Sequence, residues 1–170
     1  MEFDVIQGDI AEQSADAFVN VAGTSLRMGS GVAGSLRDAA GEAINEAAVQ
    51  RGPIELGEVV VTDAYELDAE WVIHAAAMPH YGDRQATAES IRDATRNSLT
   101  TAEELHAESL VIPAIGCGVA GFDLTNGARI ISEVIDSHAA ESLSDVRVIG
   151  YSGTEARTIR RAAVRVTTSG

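Results

Sequence analysis

The pattern G-x-G-x-x-G occurs twice in the chain, as GSGVAG from Gly29 to Gly34 and as GCGVAG from Gly116 to Gly121. Glycine lets backbone N–H groups approach an anion with no β-carbon in the way. A helix opening at such a loop adds unpaired donors and partial positive charge. Each loop is therefore a phosphate-sized anion site, and the pair suits one diphosphate held from two sides. A turn that uses glycine for positive φ alone is the plainer reading of either copy by itself; repetition at two predicted strand ends favours a ligand. A P-loop is excluded, because it needs a lysine and the chain has none. A hydride-transfer enzyme is disfavoured, because neither copy is followed by an acid about 20 positions on, at the end of the next strand. After the second copy that strand ends in Tyr151-Ser152, and after the first the corresponding region is helix and RGP.

Other residues offer weaker chemistry. His80 lies in AMPHYGDRQ beside Tyr81, Asp83 and Arg84, and either His80 or Asp83 has the type needed to orient a water as a general base. His74, inside the apolar run WVIHAAA, reads as a hydrogen-bonded core histidine. Cys117, the single cysteine, sits in the second loop where a helix N-terminus can lower a thiol pKa. With no partner base legible, it reads as a small residue tolerated near phosphate. His106 and His138 read as surface. No H-x-x-H, C-x-x-C or carboxylate cluster at ligand spacing is present, so neither metal nor cofactor is expected.

The elements that must position these loops alternate between strand and helix. Short apolar or β-branched runs predict strands at 3–7, 17–21, 59–64, 71–77, 110–115 and 146–151. They mostly lack polar alternation, as strands covered on both faces do. Helical stripes are predicted over 32–50 (with Val32, Leu36, Ala39, Ala40, Ala43, Ile44 and Ala47 inward), 86–106, 124–140 and 154–164, the last N-capped by Thr154. Such alternation implies one three-layer α/β domain over residues 1–170, with ligands at the carboxyl ends of the strands.

Net charge is −14, and all 12 basic residues are arginine. Strong acidity disfavours nucleic acid as a partner, since phosphates are repelled. An acidic, lysine-free surface fits high intracellular salt, where a screening length of about 3 Å at 1 M weakens repulsion between carboxylates. One cysteine, no targeting signal and no apolar run long enough to span a membrane point to a cytoplasmic protein, expected to be a monomer.

Four stretches in order resemble the macrodomain family, the ADP-ribose-binding module, over nearly the whole chain: QGDI (7–10), VNVAGTSLRMGSGVAGSLRDAAG (19–41), LGEVVVTDAYELDAEWVIHAA (56–76) and LVIPAIGCGVAGFDL (110–124). The resemblance implies an α-β-α sandwich with a mixed, mostly parallel sheet of about six strands. It implies binding of ADP-ribose or ADP-ribosylated protein. Asp9 would accept from the adenine amino group, with helix capping as its alternative role, and the Ile10 N–H would meet an adenine ring nitrogen. Asn20 would contact the distal ribose. Gly29, Ser30, Gly31 and Val32 would form the first phosphate loop, and Gly116, Cys117, Gly118, Val119, Ala120 and Gly121 the second, with Phe122 just beyond. Tyr151 would pack on adenine. The alternative function is hydrolysis of an ADP-ribosyl linkage (ADP-ribose 1″-phosphate, O-acetyl-ADP-ribose or ADP-ribosylated protein) by a water positioned by Asn20 and His80. Several hydrolytic members carry a second asparagine where Gly23 stands and an aspartate where Ala33 stands. Others use a lysine and a loop aspartate, where this chain has Ala120 and no lysine. Both familiar catalytic sets are incomplete, which leaves binding intact.

Overall fold

The computed structural model describes residues 1–79, 86–117 and 121–169, with side chains as far as residue 166. The elements run β1 (Asp4–Gln7), a 3₁₀ turn (Ile10–Glu12), β2 (Ala17–Gly23), α1 (Gly31–Ala40), α2 (Ala43–Gln50), β3 (Val59–Asp63), β4 (Trp71–Met78), α3 (Ala88–Glu104), β5 (Ser109–Pro113), α4 (Leu124–Asp136), β6 (Asp145–Gly150) and α5 (Gly153–Ser169). The six strands form one sheet in the order β1-β6-β5-β2-β4-β3. Every pairing is parallel except β3 with β4. The expected mixed, mostly parallel three-layer architecture is what the chain adopts.

Alternation along the strands divides the core. Phe18, Val72, Val111 and Ile149 face Leu36, Ala40 and Ile44 of α1 and α2. Ala17, Val19, Ile73, Leu110, Ile112 and Val148 face Ile91 and Leu99 of α3, Ile131 and Ile135 of α4, and Ile159 of α5. Both faces are therefore apolar, which explains why the strands carry little polar alternation.

Two helix predictions are corrected. Residues 32–50 form two helices, because Gly41 terminates α1 with φ 102°, a backbone conformation that favours glycine. Ala39 and Ala43 are consequently exposed, and the buried stripe is Ala33, Leu36, Ala40, Ile44 and Ala48. The last helix begins at Gly153, and its cap is Ser152 in place of Thr154: the Glu155 N–H donates to Ser152 Oγ at 3.1 Å. At the other end of the sheet order, β1 is an edge strand. The Gly8 N–H donates inward to Gly150 O at 3.0 Å, so the carbonyl of Val5, an odd number of residues away, points outward. Arg160 of α5 donates to it at 3.3 Å.

Candidate functional site

A cleft of about 720 Å³ opens at the carboxyl ends of the strands. Its lining follows the sheet order. Asp9 and Ile10 come from the loop after β1, Tyr151 and Glu155 from the chain after β6, Ala114 and Cys117 from the loop after β5, Gly23 from the end of β2, Ser25, Arg27 and the run Gly29–Ala33 from the chain after it, and Met78 and Pro79 from the end of β4. The first glycine loop and Cys117 of the second thus meet at one cleft, although they are distant in sequence.

The first loop and α1 form a single unit. Helix α1 starts inside the pattern, at Gly31, whose φ of 62° turns the chain into the helix. The first backbone bond of α1 runs from Gly34 N–H to Ser30 O at 3.3 Å, which leaves the N–H groups of Gly31, Val32 and Ala33 without helical partners. Ser30 occupies the N-cap position, yet its side chain makes no capping bond. Gly29, Ser30, Gly31, Val32 and Ala33 all line the cleft. By contrast α3 and α4 are capped by their own sequence: Thr87 accepts from the Ser90 N–H, and Asp123 from the Asn126 N–H.

The second loop is built differently. The Cys117 N–H donates to Ala114 O at 3.2 Å and the Phe122 N–H to Gly116 O at 3.1 Å. Gly116 and Gly121 have φ 80° and 78°. Gly116 faces away from the cleft, where an added Cβ would lie 2.6 Å from Ile91 Cγ1. Gly118, Val119 and Ala120 lie outside the described residues, as does His80 with the loop around it.

Cys117 lines the cleft, and its thiol is held up to about 11 by burial and then by the Asp123 and Glu155 carboxylates. It is a neutral thiol at physiological pH, not a thiolate nucleophile. Phe122 is not at the cleft: it packs into the α3–α4–α5 side of the core and touches the space over Gly127. Its ring follows the apolar face of α4.

Asp9 performs the capping role, its Oδ1 accepting from the Ala11 N–H at 2.9 Å, and also lines the cleft. Tyr151 is 73% exposed at the rim, and its N–H donates to Glu155 Oε2 at 2.9 Å. Asn20 is the clearest departure. It is fully buried in β2 and is not among the lining residues. Its Nδ2 lies 2.9 Å from His74 Nδ1, and His74 Nε2 lies 2.9 Å from Thr62 Oγ1. Thr62 Oγ1 donates onward to Asp63 O at 3.0 Å, so His74 is the Nε2–H tautomer with Nδ1 accepting from Asn20. Burial, and secondarily the positive charge of Arg51, lowers His74 to about 4, which keeps it neutral. Asn20, His74 and Thr62 tie β2, β4 and β3 together beneath the cleft, and the reading of Asn20 as a ribose contact is not met. Period-two phasing carried the signal that was missed: Asn20 shares its face with Phe18, a core residue.

Arg27 was absent from the expected site. It is exposed, lines the cleft, and makes no side-chain hydrogen bond or ion pair among the described residues.

The family model described as Macro domain matches residues 19–131. An O-acetyl-ADP-ribose deacetylase of Salmonella typhimurium is 39% identical over 143 residues, covering 79% of this chain and 80% of that protein. An uncharacterized protein of Mycobacterium tuberculosis is 36% identical over 165 residues, 97% of this chain, and the chain spans only 45% of that relative's length. Among solved structures, a mutant Oceanobacillus iheyensis macrodomain with ADPR superposes with a TM-score of 0.87 at 22% identity, covering 98% of this chain and 93% of the other. The Trypanosoma brucei macrodomain in complex with ADP-ribose superposes at 0.81 with 23% identity, covering 92% and 67%. At those identities the superpositions establish the fold.

Proposed function

The chain belongs to the Macro domain family, and on that premise we propose that it binds ADP-ribose, free or attached to protein, with the diphosphate seated on the N-terminus of α1. The observation that carries this reading is the uncapped first turn. Three N–H groups at Gly31, Val32 and Ala33 lack helical partners, the Ser30 hydroxyl leaves them open, and they border the cleft. Hydrogen bonds from such donors to a charged group contribute about 1.5–3 kcal/mol each. The second loop, whose Cys117 and Phe122 amides are already bonded within it, serves chiefly as the opposite wall. Adenine lies at the β1–β6 end, where Asp9 retains a free carboxylate oxygen to accept from an amino group and Tyr151 offers an exposed ring. The protein acts as a cytoplasmic monomer in this reading. Titration calorimetry with ADP-ribose and with NAD tests it: tighter binding of ADP-ribose supports the assignment, and tighter binding of NAD rejects it.

The 39% identity to a deacetylase favours a second reading, hydrolysis of an ADP-ribosyl ester or related linkage. A water would be held at the β2–β4 end, with His80 as the candidate base and Asn20 acting only by bracing β2. Incubation of the purified protein with O-acetyl-ADP-ribose, followed by product analysis, decides between turnover and binding alone.

A further inference from the structure

The two edges of the sheet differ in what their outward main chain meets. At β1 the Val5 carbonyl is occupied by Arg160. At the opposite edge stands β3, which pairs with β4 alone. Its antiparallel ladder fixes which residues face that neighbour. The Ala76 N–H donates to Glu58 O at 3.0 Å and the Ala64 N–H to Glu70 O at 3.3 Å, so the even-numbered positions of β3 are the bonded ones. Val60 and Thr62, opposite His74 and Val72, therefore turn their main-chain groups toward β4. Val59 and Val61 turn theirs away from the sheet, and among the described residues no hydrogen bond falls on those groups. The next carbonyl, that of Asp63, accepts from Thr62 Oγ1. The open stretch is thus the N–H and C=O groups of two uncharged, half-buried valines.

The surroundings of that stretch carry one sign of charge. From Gly52 to Trp71 the sequence holds no basic residue and six carboxylates, Glu55, Glu58, Asp63, Glu66, Asp68 and Glu70, all of them exposed. Glu58 precedes β3 and Asp63 ends it, so both ends of the strand are acidic. Leu56 and Tyr65, 44% and 45% exposed, stand just beyond those ends. The acids argue against a second copy as the occupant. Antiparallel pairing of β3 with another β3 sets the Glu58 end of each against the Asp63 end of the other, and parallel pairing sets like residues side by side. Like charges facing one another across strands are destabilising. We propose that β3 is a docking edge for an extended, basic segment of another protein. The segment adds as a further strand, its main chain bonded to Val59 and Val61 and its arginine or lysine side chains set against the flanking carboxylates. The Tyr65 ring offers a face to a guanidinium, and Leu56 an apolar contact. None of these residues lines the cleft, so the inference stands apart from the ADP-ribose reading.

The test is fluorescence anisotropy of the full chain with a labelled short peptide that alternates arginine and valine. Binding is expected, and is expected to be lost when the central amides of the peptide are N-methylated, which keeps its charge and removes its main-chain donors. Exchange of its arginines for glutamates is also expected to abolish binding. On the protein side, Val61→Pro removes an outward N–H without removing a ladder bond to β4, and is expected to weaken the peptide about tenfold or more. Val61→Thr keeps that N–H and is expected to stay within about threefold of the wild type. The combination Asp63→Asn, Glu66→Gln and Asp68→Asn is expected to weaken binding about threefold or more at 0.1 M salt and to make little difference at 1 M, where exposed charges are screened. ADP-ribose affinity is expected to be unchanged in every variant. Should Val61→Pro fail to fold, the N-methylated peptide carries the main-chain test by itself. Equal binding of the plain and N-methylated peptides overturns the inference, because the attraction is then one of charge alone. Equal binding of the glutamate peptide, or no binding of the arginine peptide, overturns it too. A concentration-dependent dimer of the free protein in sedimentation, abolished by Val61→Pro, assigns the edge to a second copy and likewise overturns it.

Discussion

GSGVAG and GCGVAG share a pattern and one cleft, yet they are different structures. In the first, the helix begins within the six residues and its leading N–H groups face open space. In the second, the loop closes on itself through Cys117 N–H to Ala114 O and Phe122 N–H to Gly116 O, and α4 starts only after Asp123 has capped it. Glycine serves accessibility at Gly29 and packing at Gly116. An added Cβ meets nothing within 4 Å at Gly29, whereas at Gly116 it meets Ile91 and Ala86 at 2.6–2.9 Å. Among the described residues, the same letters therefore mark an uncapped helix start in one place and a packed corner in the other.

That contrast breaks most visibly at Gly116. Gly116→Ala places a Cβ against Ile91 at a φ of 80°, and is expected to cost about 2–4 kcal/mol of stability, read as a lowered denaturation midpoint. Gly29→Ala, in the other loop, should change stability by less than about 0.5 kcal/mol while weakening ADP-ribose binding, because its Cβ would project from the cleft wall into the space the proposed ligand would occupy. If both variants lose stability alike, the distinction between the loops fails.

The scaffolds beneath the two sides should also part company in acid. On the β2–β4 side, His74 is held at about 4, below its usual 6.5. Its folded-state pKa is depressed, so the unfolded chain binds the extra proton first. Stability is complete above about pH 6.5 and declines toward pH 4, by about 3 kcal/mol at 1.36 kcal/mol per pKa unit. On the α3 side, burial would raise the Glu103 carboxyl, but N–H groups of Glu141, Leu143 and Ser142 and the Ser142 hydroxyl outweigh it and lower it to about 2. That contribution is present above the ordinary carboxylate value of 4.5 and is lost only as pH falls toward 2. Hydrogen exchange should therefore show β2 and β4 loosening at higher pH than the α3 anchor, and His74→Gln should remove the first phase.

A finer probe is Gly127 in α4, where an added Cβ would lie 2.4 Å from Cys117 Sγ. Gly127→Ala is expected to cost about 1–3 kcal/mol by overpacking, and Cys117→Ala in the same chain should recover most of it. Equal losses in the single and double variants would mean that the thiol is not what α4 meets. The smallest effect is expected from salt. Affinity for unsubstituted ADP-ribose should change by less than about threefold between 0.1 M and 1 M, because fixed backbone donors outweigh a screened long-range repulsion.

Strand and layer were legible because both sheet faces are apolar, so each strand stands out as a run: all six appear within two residues of their predicted limits. The break at Gly41 was hidden because Leu36, Ala40 and Ile44 keep helical spacing across it. The first loop was legible since its glycines lie at a strand-to-helix junction. The roles of Asn20 and Phe122 were not, because a side chain's face is set by strand phase and by how the helix after the loop packs. Arg27 escaped notice because a lone surface arginine has no pattern; only the lining of the cleft sets it apart.

The outward carbonyl of Val5 is the kind of acceptor through which sheets of separate molecules recruit one another. Arg160 occupies it with a charged donor. An incoming strand must displace a guanidinium to dock, so the shortest rim of this sheet is closed to templated growth, and crowding in concentrated solution does not find an open seam there.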